Sequence, residues 1–313
     1  MTTPFGWLAQ RVTLSPRALR WGTTAALVVS ILIVLGGGVV RVTGSGLGCP
    51  TWPACNATEV IAPISDNIHQ VIEQTNRLLT GVLIVAVGWA IVAVRLQKPW
   101  DRTLTRLAWS MFWLVVLNAV AGGITVLVRL NPWVVALHFV LAMALLATAT
   151  LTWHRARWRG DPDDRMPRRR TQVTWAFLAA AGALVVVGTL VTGAGPHAGD
   201  SGDVARIGFD WASLVWIHGA LAAVVLLATV GFIFWMPGAR RTGIALLVIL
   251  LLQGAVGVVQ ALNGLPSLLV AIHVLGAALV WVGAIRVVLS ADPKLFALRV
   301  PGVPEHIDAP VTR

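Results

Sequence analysis

The sequence predicts an all-α polytopic membrane protein of eight transmembrane helices, built as two duplicated four-helix bundles. Three observations lead there. Hydrophobic residues make up 57% of the 313 positions and charged residues only 12%, and the apolar residues gather into runs of the roughly 18–20 needed to cross a bilayer. The basic residues fall in short segments between those runs, almost all on one side. The second half of the chain repeats landmarks of the first. A net charge of +11 would point to nucleic acid in a soluble protein. Spread over loops between spans it is a topology signal instead, so the expected surroundings are membrane lipid and no nucleic-acid partner.

Taken in order, residues 1–20 form a cytoplasmic N-terminus whose Arg11, Arg17 and Arg20 lead into a first span at 21–41. That run is too long for a signal peptide and lacks a small-residue cleavage pattern, so it is expected to stay. An outer loop, 42–69, carries both cysteines, Cys49 and Cys55. The second span, 70–94, opens with VIEQTNRLLTG and sets Glu73, Asn76 and Arg77 at its mouth. Spans at 104–127 and 132–153 complete an N-terminal bundle over 21–154. The charged segment RARWRGDPDDRMPRRR begins a cytoplasmic linker, 155–173, dividing four spans from four. The C-terminal bundle, 174–290, has spans at 174–193, 212–236, 240–261 and 266–290. Its middle pair is joined by a tight MPGARR turn, and a tail, 291–313, follows. Tyr is absent, and Trp21, Trp133, Trp153, Trp175, Trp211 and Trp235 lie near span ends, as an interfacial belt requires.

Of the 24 lysines and arginines, only Arg41, Arg77, Arg129 and Arg206 lie on the side of the cysteine loop. The positive-inside rule then places a multi-pass chain in the cell membrane, with both termini cytoplasmic and the cysteine loop outside. An oxidising exterior favours a Cys49–Cys55 disulfide. The spacing is not CxxC, and Pro50 and Pro53 restrict the loop. A structural staple and a redox-active pair both stay open.

The halves echo each other. NAVAG at 118–122 precedes ALHFVLAMAL, and QGAVG at 253–257 precedes AIHVLGAALV; VTGSG at 42–46 returns as VTGAG at 191–195. Each half enters and leaves on one side, so the repeat is parallel, about an axis near the membrane normal.

Of seven histidines, His154 and His306 lie near cytoplasmic charge, His197 in an outer loop, and His69 ahead of the second span. His138, His218 and His273 lie about two turns inside apolar helices. An ionisable group there is a functional hypothesis by default; the bland reading is a hydrogen-bonded packing contact. His218 and His273 share one bundle and suit the two axial positions of a haem. Zinc is the poorer fit, because no third ligand lies at that depth. In the first half His138 matches His273, but Asn76 stands in the place of His218. The first site thus has one strong ligand and one position weak or open. Glu73 lies one turn from Asn76 on the same face. It reads as a general base or proton relay, or as an ion-pair partner of Arg77 or Arg41. Arg41, Arg77 and Arg129 either pair with carboxylates such as haem propionates or snorkel to the interface.

These residues resemble a family. GGGVVRVTGSGLGCPTWPAC at 36–55, a Glu with Arg four residues later on the second span, and histidines on the fourth, sixth and eighth spans of duplicated bundles resemble the haem A synthases, the haem O oxidases of bacteria and mitochondria, over residues 20–290. The resemblance implies an oxidoreductase. It would convert the C8 methyl of haem O to the formyl of haem A, by successive hydroxylation and loss of water, for cytochrome c oxidase assembly. It implies a haem b cofactor with iron on His218 and His273. It implies a haem O substrate on His138, with Asn76, Arg77 and Arg41 as further contacts. Glu73 matches the family's essential glutamate, and Cys49 and Cys55 its disulfide. A haem O synthase and an electron acceptor such as a quinone are the implied partners. The departure is Asn76, where members of the family commonly have His. Three outcomes follow: His138 binds alone, which is the preferred one; His69 reaches in, across about 10 Å of axial rise; or the site is altered or lost. The rival reading is a non-catalytic haem carrier or bis-His b-type cytochrome, which would use the same histidines without needing Glu73. A transporter is a third, disfavoured by the lack of matched Gly/Pro-broken helices.

Overall fold

The computed structural model describes residues 4–56, 67–157, 168–200, 202 and 204–291. Among these, eight helices are long and apolar enough to cross a membrane. They follow a short helix α1 (Pro4–Arg11) and are α2 (Pro16–Val42), α3 (Ile68–Arg95), α4 (Arg102–Leu127), α5 (Pro132–Arg155), α6 (Arg168–Ala194), α7 (Trp211–Trp235), α8 (Arg240–Leu262) and α9 (Ser267–Ala291). A single 3-10 turn, Pro237–Ala239, makes the MPGARR corner. No β-strand occurs among the described residues, and one isolated bridge pairs Ser45 with Asp200. The cytoplasmic side expected for Arg159 and Arg165 in the linker and for Lys294, Arg299, His306 and Arg313 in the tail concerns positions outside the described residues.

Helix starts follow their caps. The Ala18 N–H donates to Ser15 Oγ (3.3 Å) with Pro16 at the first position, so α2 begins five residues before Trp21. Its first turn is polar and escapes an apolar count. Asn67 Oδ1 accepts from the His69 N–H (3.1 Å). His69 therefore lies inside the first turn of α3, not ahead of the helix as expected. Asp101, Asn131 and Asp210 cap α4, α5 and α7 in the same way, each satisfying amides that have no partner within their own helix. The hydrogen bonds from Ser213 hold the Asp210 carboxyl below the usual carboxylate range.

Helices α2–α5 pack in a ring, each on the next and α5 back on α2; α6–α9 do the same. Between the rings, α2 meets α9, α5 meets α6, and α5 meets α9. Exchanging α2–α5 for α6–α9 maps this pattern onto itself, so a pseudo-two-fold axis runs between α5 and α9. Across that seam Trp281 Nε1 donates to the Met143 carbonyl (2.9 Å). Gly38 lets α2 close on α9, since a Cβ there would stand 2.9 Å from Val274 Cγ1.

Each ring packs around a core, the first of which also takes in Ala278 and Val282 of α9, and both cores sit toward the arginine-rich end. In the first ring the core runs over Leu19–Val34 of α2, Leu83–Val94 of α3, Leu104–Val115 of α4 and Met143–Ala149 of α5. In the second it includes Leu184, Val225, Phe232, Leu250 and Val288. Hydroxyls buried in these cores, those of Thr23, Ser30, Thr150 and Thr229, donate to carbonyls one turn back, as the low dielectric demands. Both cores stop one to two turns short of the layer that holds Asn76, His138, His218 and His273. Val85, Leu227 and Leu262 are largely exposed, an apolar outer surface suited to lipid.

Candidate functional site

The histidine layer is built from helix pairs. In the second ring, His218 of α7 and His273 of α9 face each other, with ring centroids 6.3 Å apart and planes at 62°. Each ring leans on a glycine of the preceding helix. A Cβ on Gly188 of α6 would stand 2.9 Å from His218 Cε1, and one on Gly257 of α8 would stand 3.3 Å from His273 Cε1. Gln253 Nε2 donates to the His273 carbonyl (2.7 Å) and ties α8 to α9 at this level. Both rings keep a buried Nδ1 without a hydrogen-bond partner.

The first ring repeats the seat with different occupants. His138 leans on Gly122 of α4, where a Cβ would come within 3.2 Å of Cε1. Asn76 leans on Gly36 of α2, where a Cβ would collide with Asn76 Oδ1. His138 Nδ1 and Asn76 Oδ1 are both buried and unpaired. His138 and His273 are each the seventh residue of their helix; Asn76 is the ninth of α3 and His218 the eighth of α7. Asn118 occupies the place of Gln253 but is one methylene shorter. Its Nδ2 bonds the Leu114 carbonyl of its own helix (2.8 Å), and its Oδ1 has no partner.

Above the first seat lies the cysteine loop. Cys49 and Cys55 are joined in a disulfide. Glu73 is only 5% exposed. Its Oε2 accepts the Cys49 N–H (2.6 Å), and its Oε1 accepts Arg77 Nη2 (2.5 Å) and Nε (3.1 Å). Arg77 in turn donates to the carbonyls of Cys49 (3.2 Å), Thr51 (3.1 Å) and Ala54 (3.3 Å). The ion-pair partner of Glu73 is thus Arg77 and not Arg41, and the pair clamps the loop. The loop's Trp52 lies flat against α4 at Gly123, where any Cβ would strike the indole. Gly123 adjoins Gly122, the glycine beneath His138. The cysteine loop is therefore a roof beside the His138 seat.

Arg41 has another task. It crosses between the halves, Nε donating to the His197 carbonyl (2.8 Å) and Nη2 to that of Thr192 (3.0 Å). Arg206 donates to the Gly195 carbonyl nearby. Both cations serve the carboxyl end of α6, the end where positive charge is favourable. The Gly46 N–H donates to the Gly199 carbonyl (2.7 Å), and Leu130, Ala198 and Val204 form a small apolar cluster with Leu47 and Val135. These contacts join the loop after α2 and the loop after α6 into one cover. His69 is part of the cover too. Its Nδ1 is 3.0 Å from Ser45 Oγ, which is 2.8 Å from Thr43 Oγ1.

Which group do these seats fit? Two imidazoles on one metal, at about 2 Å per bond, place ring centres roughly 6 Å apart. The separation of His218 and His273 is in that range. Among the described residues no group of three or more His, Cys, Asp or Glu can hold a metal ion. A lone imidazole pair suits iron that brings its own macrocyclic nitrogens, which is haem. The orphaned imidazole nitrogens, the glycine-lined seats and the cores that stop below them all agree with a flat group in this layer.

The sequence showed the histidines and Asn76 but not the glycines at 36 and 188. Unlike Gly122 and Gly257, they hold no repeated place relative to the residues they face. Their signal was present as glycine inside an apolar helix, which marks a close approach. The partners of Arg41, some 150 residues away in the chain, had no sequence signal.

Comparison with known proteins gives the family. The cytochrome oxidase assembly protein family (COX15-CtaA) matches residues 20–285. The chain is 26% identical to haem A synthase of Staphylococcus saprophyticus over 58% of its own length and 59% of that protein's. It is 32% identical to haem A synthase of Lysinibacillus sphaericus, covering 43% and 44% of the two chains. It is also 32% identical to haem A synthase of Geobacillus kaustophilus, covering 43% and 42%. The match thus spans about half the length of these relatives. With the family match running across all eight spans, the chain belongs to the cytochrome oxidase assembly protein family.

Proposed function

We propose that the chain is a haem A synthase, an oxidoreductase that converts the C8 methyl of haem O to the formyl group of haem A for cytochrome c oxidase. One observation carries the reading. Matching seats lie at one depth in the two rings, one with two imidazoles and one with a single imidazole. A protein that only stored or relayed electrons has no use for that inequality; an enzyme with a resident cofactor and a substrate does.

In this reading His218 and His273 hold haem b in the C-terminal bundle, and His138 holds haem O in the N-terminal bundle. Haem b held by these two residues would supply one-electron redox chemistry. His138 would hold the substrate haem, whose reacting carbon lies on the macrocycle edge and not at the iron. The disulfide-closed roof, with Trp52 on α4, keeps water from that edge. Glu73 holds the roof through Cys49 and Arg77, and its carboxylate is the candidate to accept a proton released there. Gln253 sets the backbone of His273, and so the ring's height in its seat.

The asymmetry of basic residues orients the chain in the cell membrane, with both termini cytoplasmic and the cysteine loop outside. Haem O comes from a haem O synthase, and electrons leave to an acceptor such as a quinone. The test is to express the chain with a haem O synthase in a host lacking haem A and to separate the extracted haems by chromatography. Haem A or its hydroxylated intermediate is expected. Folded, haem b-loaded protein that yields only haem O and haem b would contradict the reading and bring the haem carrier forward.

A further inference from the structure

We infer that the N-terminal haem seat is open on its Asn76 side, so that iron held there by His138 takes up a neutral diatomic ligand such as carbon monoxide, while the His218–His273 seat does not. This rests on the two-haem reading above and concerns what Asn76 does within it.

Asn76 and His218 occupy equivalent seats, each on the third-from-last helix of its ring and each resting on a glycine of the helix before it. A carboxamide does not replace an imidazole as an iron ligand. Its nitrogen is a donor with no free lone pair, and its oxygen is a hard, neutral acceptor unsuited to ferrous haem. The side chain is also shorter. Asn76 Oδ1 is buried and unpaired, so it remains a hydrogen-bond acceptor beside the seat.

No other imidazole takes the place. His69 is held in the roof by Ser45 at 3.0 Å. His197 Nε2 is 2.8 Å from the Leu265 carbonyl, in the cover of the second half. His154 is on the same helix as His138 but 16 residues on, about 24 Å of rise away. Among the described residues, His138 is left as the one imidazole of the N-terminal seat. In the C-terminal seat the two rings at 6.3 Å occupy both faces, and a small ligand must displace one of them.

The experiment uses the intact chain, expressed where haem O is made and purified with its haems. Haem per chain is counted by the pyridine haemochrome method. The protein is then reduced with dithionite and titrated with carbon monoxide while difference spectra are recorded. Two haems per chain with one binding carbon monoxide is the expected result. In Asn76→His the new ring enters a seat already shaped like that of His218, and carbon monoxide binding should fall at least tenfold while the haem count stays at two. Two haems in the wild-type chain with no carbon monoxide bound would overturn the inference and leave the two-haem reading standing. One haem per chain would overturn the two-haem reading itself. The wild-type titration decides the matter even if the variant does not fold.

Discussion

The two four-helix rings have the same frame and differ at a few side chains. Both set their packed core toward the arginine-rich end, both place a histidine seven residues into the last helix, and both seat it on a glycine. The C-terminal ring adds His218 opposite His273 and ties α8 to α9 through Gln253. The N-terminal ring has Asn76 and the shorter Asn118, and each leaves a buried oxygen unpaired. It also carries the disulfide loop, clamped by Glu73 and Arg77. A buried polar atom without a partner costs on the order of 1–3 kcal/mol, so such atoms persist where something other than stability retains them. They are concentrated in this layer, and the extra loop covers the ring that is less complete. On the proposed function, one frame serves as a closed cofactor site in one half and as an open substrate site in the other.

The largest way to break this comparison is to remove an imidazole. His218→Ala or His273→Ala should eliminate the haem b spectrum and all product, while His138→Ala should spare haem b. Glu73→Gln comes next. It removes the charge that holds Arg77 and the candidate proton acceptor together, and should lower product formation by roughly 10²-fold or more with haem b unchanged. Product at the wild-type level would favour the carrier reading. Gly123→Leu should push Trp52 off α4 and weaken retention of haem O, leaving haem b in place; extraction and chromatography of both haems checks this. Gln253→Asn makes the second ring resemble the first. It should cost about one hydrogen bond, near 1 kcal/mol, and appear as a small shift in haem b potential without loss of haem.

Much of the frame was legible because it is written locally. Apolar runs gave the eight spans, and the matched NAVAG and QGAVG segments gave the repeat. His138, His218 and His273 stood out because few ionisable residues interrupt apolar helices. The helix starts were misjudged where capping polar residues, Ser15 and Asn67, precede the apolar run, which is how His69 came to be placed outside α3. The roof was only half legible. The cysteine pair and Glu73 were visible, but the choice of Arg77 over Arg41 as partner depends on how the loop folds back. Arg41 is turned toward Thr192 and His197 by the packing of the two halves. The different reach of Gln253 and Asn118 depends on one methylene and the spacing of α8 from α9, a tertiary distance that no local pattern encodes.

The most direct test of the two-seat account is to load the wild-type chain, His138→Ala and His218→Ala with haem in the same haem O-producing host, and to identify the haems each retains. The account predicts haem b together with haem A or its hydroxylated intermediate in the wild type, haem b alone in His138→Ala, and loss of haem b in His218→Ala. If both variants lose the same haem, or neither loses any, the division of labour between the two rings is contradicted.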